Sequence, residues 1–492
     1  MSLKLEKAHK YEKEEKQKIP AEEKPVFHVT PPIGWMNDPN GFSFYNGEIH
    51  LFYQYHPYTR DWGPMHWGHC VSKDMVSWEM LLAAMAPDQE YDELGCFSGS
   101  AMEADGKHAL MYTGVSKKTL PDGTTQERQN QCLAYGDGRV YEKFSGNPVI
   151  TGEMMPKGCS RIDFRDPKIW KEDGKYYLIV GNKNDDQRGQ VVLFSGETPE
   201  SWKFETVLAE NSTGEIGTMW ECPDFFGLDG KHFLICSPQD MKAQKYEFHN
   251  GNNAVFFVGE YDKETHVFKK EAPKSLDYGF DFYAPQTTEL PDGRRVMIAW
   301  MKSWDACVMP LGQKWQGMMT IPRELKYADG RLYQNPVEEL KNYRKNPCMI
   351  KGQEISGEME LEGICGRVLD MTVEIVGDEF DEFSIELAHN EEYTTSYAYH
   401  RKKQLMTIDR TYCGVIRDVV CHRTWKLPEN MKESGENLKL RFIMDRQSVE
   451  LFVNDGAQAV SAAICTPLEA DGIVFSCDGK AEINIEKYEI AL

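Results

Sequence analysis

No stretch of the 492 residues approaches the 18 or more consecutive apolar residues that a membrane-spanning helix needs. The N-terminus, MSLKLEKAHKYEKEEKQKIPAEEKP, lacks the apolar core of a secretory signal. Its Lys/Glu content predicts a solvated lead-in over residues 1–26 with a turn or two of helix. Cysteine pairs are also missing: the thirteen cysteines, an odd number, include no C-x-x-C. Without a signal peptide, that pattern predicts reduced thiols and a cytoplasmic location, not a disulfide framework. Positive charge is scarce, with 56 Lys and Arg against 78 Asp and Glu, for a net charge of −22. This balance argues against nucleic acid and anionic membranes, which attract basic faces. There is no H-E-x-x-H, P-loop, G-x-G-x-x-G or G-x-S-x-G motif. HWGH supplies His66 and His69 without further ligands beside them, so neither metal nor cofactor is expected.

What is present is enough apolar material, 41 % of residues with 12 % aromatic, for two or three packed domains. A Gly-led strand-like run recurs: NGEIHLFYQY, DGKHALMYTG, DGKYYLIVG, DGKHFLICS and DGRRVMIAW. Asn-Gly and Asp-Gly are the preferred two-residue hairpin turns. The turn glycines Gly47, Gly106, Gly174, Gly230 and Gly293 are spaced 59, 68, 56 and 63 residues apart. Five similar antiparallel units of this size predict an all-β fold, a five-bladed β-propeller, over residues 27–335. A parallel α/β fold would need amphipathic helices between the strands, and the sequence has none there.

GWMNDPNGF at 34–42 is dense in turn formers, yet it places Trp35 and Met36 directly before Asp38. The repeat gives that arrangement a context. Asp38, Ser98, Asp166, Glu221 and Pro285 all fall eight or nine residues before their turn glycines. Three carboxylates thus occupy nearly one slot in three blades, which would gather them at one mouth of the channel. Like charges brought together cost stability, so the slot points to function. Two carboxyl groups flanking a sugar are the basic equipment of glycoside hydrolysis, one giving a proton and the other attacking or activating water. Glu221, between Trp220 and Cys222, suits the acid. Asp166 follows Arg165, whose cation would keep it ionised in a supporting role. Asp38 remains as nucleophile or base.

Aromatic residues crowd these slots. Trp35, Trp62, Phe97 and Trp304, at the ends of runs or in loops, suit a sugar pocket, whereas Tyr53, Tyr55 and Trp300 lie inside hydrophobic runs and suit the core. Ser98 has no base beside it and reads as a hydrogen-bonding residue.

The motifs WMNDPNG at 35–41, FRDP at 164–167 and ECPD at 221–224 resemble the signature of glycoside hydrolase family 32, the β-fructofuranosidases. QYHP at 54–57, HWGHCVSKDMVSW at 66–78 and FSGSA at 97–101 resemble it too. The likeness runs from about residue 27 to 340, with a family-like tail. It implies a propeller followed by a β-sandwich, and a retaining mechanism on terminal β-D-fructofuranosyl units of sucrose, sucrose 6-phosphate or short fructo-oligosaccharides. It also implies that Asp38 is the nucleophile, Glu221 the acid/base and Asp166 the transition-state stabiliser. Asn37, Gln54, Trp62, Phe97, Ser98, Arg165 and Trp304 match fructose-pocket positions of that family, with Trp300 a rival to Trp304, and Trp35 and Met36 beside Asp38 complete the sugar-binding candidates.

Beyond the propeller, PVEELKNYRKN predicts a short helical linker, residues 336–347, with Pro336 at the first helical position. Residues 348–492 then alternate apolar and polar positions in short runs, such as NLKLRFIMD and AEINIEKYEI, as half-buried strands of a β-sandwich do. That domain is a candidate for packing, sugar binding or homo-oligomerisation. A fructosyltransferase using the same acids, another furanosidase or a non-catalytic carbohydrate-binding propeller are the competing readings. A phosphorylated substrate would need a cation near the leaving sugar. Lys302 and Lys314 lie in a suitable stretch, although a solvated surface is the expectation for both.

Overall fold

The computed structural model describes residues 1–305, 308, 310, 312–414, 419–428 and 437–492. Five antiparallel sheets form the first part, each built outward from an inner strand: Gly34–Tyr45, Gly95–Ala104, Cys159–Glu172, Trp220–Leu228 and Tyr283–Glu289. These inner strands contact one another in a ring, the first packing on both the second and the fifth. The result is a five-bladed propeller. Short parallel pairing of Trp315 and Gln316 with Gly34 and Trp35 ties the end of the propeller chain back to its first blade.

The turn chemistry explains the repeat. All five turn glycines have positive φ, from +78 to +87°. In four blades the residue before the glycine, Asn46, Asp105, Asp173 or Asp229, is also left-handed, near +50°. Two successive positive φ values define the turn that matches the twist of a hairpin, and Asn/Asp-Gly reaches it at least cost.

The second part is a ten-stranded sheet folded into a sandwich around one large apolar core. Its last strand, Gly472–Ile490, pairs along one edge with Arg344–Cys365. Along its other edge the first half pairs with Glu382–His389 and the second half with Leu369–Glu379, so one long strand feeds both layers.

Two local expectations change. The lead-in is a 13-residue helix, Leu3–Glu15, capped by the Ser2 side chain, and it is docked. Lys4 donates to the Pro87 carbonyl at 2.6 Å, the His9 ring lies 2.8 Å from the Ala83 carbonyl, and Ala8 and Glu12 are buried. Polar contacts hold it, so its apolar periodicity is weak. Pro336 closes a strand, Arg331–Pro336, instead of opening the linker helix. The helix is a 3₁₀ segment, Glu338–Tyr343, and the next strand starts at Arg344. No helix among the described residues is long and apolar enough to cross a membrane.

Candidate active site

Every inner strand breaks its hairpin register near its start, and these bulges build the site. In the third, fourth and fifth blades the unpaired residues are Asp166-Pro167, Cys222-Pro223 and Ala284-Pro285. In the first they are Asn37-Asp38, and in the second Ser98 alone. A bulge bends the strand and re-aims its side chains. The acids therefore do not share one slot. Glu221 is the last paired residue before its bulge, Asp166 the first unpaired residue of its own, and Asp38 the second.

The first bulge residue of the last three blades is left-handed although it carries a side chain: Asp166 at +67°, Cys222 at +47° and Ala284 at +52°. Each such residue costs about 1–2 kcal/mol. A side chain from an adjoining segment takes the backbone N–H of each one. Asp166 donates to Thr113 Oγ1 at 2.9 Å, Cys222 to Asp166 Oδ2 at 3.0 Å, and Ala284 to Ser237 Oγ at 3.0 Å. The strained backbones and the acids thus form one bonded unit.

Ser98 Oγ donates to Asp38 Oδ2 at 2.6 Å, while Asp38 Oδ1 is buried without a donor. The Cys222 thiol lies 3.5 Å from Asp38 Oδ2 and 3.6 Å from Asp166 Oδ2, so one sulfur links the two carboxylates. Glu221 Oε1 accepts from Arg165 Nε at 2.9 Å and Nη2 at 2.8 Å, and Oε2 from the Tyr283 hydroxyl at 2.7 Å. Burial, and then the charge of Glu221, push the carboxyl of Asp38 up from its ordinary range. The same two causes raise Asp166, with Arg165 opposing them. Burial dominates the upward shift of the Cys222 thiol, which leaves it a neutral donor between the carboxylates.

Around the acids, Trp35, Met65, Cys222, Tyr283, Ala284 and Trp300 form an apolar cluster, with Phe97 against it. Trp304 stacks on Trp35, ring centroids 6.2 Å apart, and stands edge-on to Trp300 at 5.1 Å. Trp62, edge-on to Phe97 at 6.0 Å, is 49 % exposed and Trp304 42 %, against 7 % for Trp35. Two exposed indoles over a buried polar floor suit a ring-shaped polar ligand. Within that floor the Trp35 indole N–H donates to Asn37 Oδ1 at 2.7 Å, and Gln54 Nε2 donates to the Cys96 carbonyl at 2.9 Å.

The family models for the N-terminal and C-terminal domains of glycosyl hydrolases family 32 match residues 28–336 and 339–491. The chain belongs to glycosyl hydrolase family 32. This family 32 enzyme is a glycosidase. It is 38 % identical to a raffinose invertase of Escherichia coli over 89 % of either chain. It is 36 % identical to a sucrose-6-phosphate hydrolase of Escherichia coli, over 94 % of this chain and 93 % of that one. A solved β-fructofuranosidase of Bombyx mori, an aspartate-to-alanine variant in complex with sucrose, superposes with a TM-score of 0.84 at 30 % identity, covering 99 % of this chain and 97 % of that one.

Three sequence-based assignments change within the family 32 enzyme. Met36 is fully buried in the core of the first blade with Tyr53 and Tyr55, because neighbouring strand residues face opposite sides and Trp35 takes the side toward the acids. Arg165 does not pair with Asp166. Its guanidinium turns to Glu221, with Asp163 at 3.6 Å, and Asp166 titrates upward instead of being held ionised. Lys302 is 3 % exposed, with its ammonium 5.2 Å from the Trp35 ring centroid, whereas Lys314 stays on the surface 3.8 Å from Glu15. Cys222 and Thr113 join the acids without a signal in the sequence, and Tyr283, one of the aromatics around the slots, bonds Glu221 directly. The signal for Tyr283 was present: Tyr-Ala-Pro at 283–285 repeats the register of Glu-Cys-Pro at 221–223.

Proposed function

We propose that this enzyme hydrolyses the bond between a terminal β-D-fructofuranosyl unit and its leaving sugar, with retention, on sucrose, sucrose 6-phosphate or short fructo-oligosaccharides. The carrying observation is the asymmetry of Asp38: Ser98 and Cys222 occupy Oδ2, and Oδ1 is left without a donor. A carboxylate fixed by one oxygen presents the other as a nucleophile.

In the first half-reaction Asp38 Oδ1 attacks the anomeric carbon. The bond to the glycosidic oxygen breaks, and the proton of Glu221 passes to that oxygen, releasing glucose, glucose 6-phosphate or the saccharide shortened by one unit. In the second, Glu221 takes a proton from water, whose oxygen attacks the anomeric carbon and displaces the Asp38 carboxylate. Asp166, bonded to the backbone of Cys222, is placed to accept hydrogen bonds from fructose hydroxyls as charge develops on the ring. The indoles of Trp62 and Trp304 flank the sugar. A cytoplasmic location fits the thiols: all twelve described cysteines are free.

The test is release of fructose from sucrose, sucrose 6-phosphate and 1-kestose by the wild type and Glu221→Gln side by side. Turnover of at least one substrate, falling about 10²–10⁴-fold in the variant, is expected, and the preferred substrate identifies the physiological one. A well-folded wild type that releases sugar from none of the three would overturn the reading.

A further inference from the structure

The mechanism asks Glu221 to hold a proton in one half-reaction and to lack it in the other, yet both its oxygens are already engaged. Oε1 faces two N–H groups of Arg165, which is always charged and can only donate. Oε2 faces the Tyr283 hydroxyl at 2.7 Å. That hydroxyl has a second neighbour, the backbone carbonyl of Ser237 at 3.1 Å. Both neighbours are acceptors, and a phenol has one hydrogen to give. It can serve the carboxylate or the carbonyl, and rotation about the C–O bond exchanges them.

We propose that Tyr283 is a positioning residue that follows the charge of Glu221: its hydroxyl hydrogen points to Oε2 while Glu221 is a carboxylate and turns to the Ser237 carbonyl when Glu221 carries its proton. The inference rests on Glu221 being the acid/base. With the hydrogen on Oε2, a charge-assisted bond stabilises the base that the second half-reaction needs. With the hydrogen on Ser237, that stabilisation is withdrawn, and the acid of the first half-reaction keeps its proton more firmly. Only the hydroxyl torsion changes. Tyr283 itself gives up no proton, since burial and then the Glu221 charge hold its phenol well above the ordinary tyrosine range.

The surroundings fix the two endpoints. Ser237 lies opposite Glu221 in the hairpin register, and its own hydroxyl accepts the N–H of Ala284, the residue after Tyr283. The Tyr283 ring is fully buried in the cluster with Trp35 and Trp300. Carbonyl, carboxylate and phenol are therefore held by the same two hairpins. Among the described residues, the other titratable groups facing Glu221 and Tyr283 are Arg165 and Asp166 from the third blade, Asp38 from the first and Cys222 beside Glu221. Arg165 donates to Oε1 in either protonation state of Glu221. Tyr283 is the group with two settings.

The deciding measurement is the pH dependence of kcat and kcat/KM on the preferred substrate for the wild type, Tyr283→Phe and Glu221→Gln, with folding checked by circular dichroism. Removing the hydroxyl withdraws a donor from the carboxylate, so the alkaline limb set by loss of the Glu221 proton moves up by about 1 pH unit, the size of one charged hydrogen bond. KM changes less than about twofold, and the second half-reaction slows more than the first. An alkaline limb that stays in place in a folded Tyr283→Phe enzyme overturns the proposal, whatever happens to kcat. If Tyr283→Phe does not fold, 3-fluorotyrosine at position 283, a stronger donor, decides: the limb moves down, or the proposal fails. Retention of full activity by Glu221→Gln is a different failure, that of the acid/base reading on which the inference rests.

Discussion

Two regions of this protein bury several carboxylates each, and they treat them in opposite ways. At the propeller mouth three acids share one cation, and only Glu221 touches it. Where the propeller meets the sandwich, Asp277, Asp281, Asp445 and Glu450 are also buried, and every one of them touches a cation. His28 lies 2.9 Å from Asp445 and 3.0 Å from Glu450; Arg323 pairs with Glu450 at 2.6 Å and Asp277 at 3.0 Å; Arg410 pairs with Asp281. Burial would raise Asp445 and Glu450, yet His28 and, for Glu450, Arg323 hold both below their ordinary range. At the mouth the balance runs the other way, and Asp38 and Asp166 are raised. A compensated cluster stabilises a domain junction. An under-compensated one stores the repulsion and free lone pairs that chemistry uses.

The largest expected effect breaks the mouth. Asp38→Asn should lose roughly 10⁴-fold or more in kcat, and because one of three crowded carboxylates is removed, its melting temperature should rise. Calorimetry beside the assay checks both; a variant that is inactive and also less stable would contradict the stored-repulsion account. Next comes the junction. Arg323→Met leaves Glu450 and Asp277 buried with less compensation and should cost about 3–5 kcal/mol of stability. Denaturant unfolding measures it, and a loss below about 1 kcal/mol would mean that the ion network is not what joins the domains.

The smallest effect is the pH response of the junction. Burial disfavours the His28 cation, but Asp445 and Glu450 outweigh it and push its pKa up to about 9. A histidine raised above its unfolded value of about 6.5 stabilises the fold fully below that value. Its contribution declines as pH rises and is lost above about 9. His28→Gln should therefore be less stable than wild type at pH 6 and closer to it at pH 9.5. A stability difference between the two proteins that does not change with pH would show that His28 is not charged in the folded state.

Turn chemistry is local, so Asn-Gly and Asp-Gly at five similar intervals were enough to predict five hairpins and a propeller. The position of the acids relative to those turns marked Asp38, Asp166 and Glu221 as candidates, and the fold brings the three together. Alternation in the last 145 residues likewise announced a sandwich, because strand periodicity is written in adjacent residues. What the tertiary structure decided is where long side chains find partners and how a bulge offsets a strand. Arg165 reaches Glu221, 56 residues away, instead of its chain neighbour. Packing of the first inner strand decides that Trp35 faces the acids while Met36 faces the blade core. The ring of Tyr283 meets Glu221 only when the fifth blade closes on the fourth, and His28 finds Glu450 across 422 residues of chain. Spacing along the chain carries the hairpins, because a hairpin is made of neighbours; partnership in a buried site depends on which strands are brought side by side, and only the closed propeller and its docked sandwich supply that.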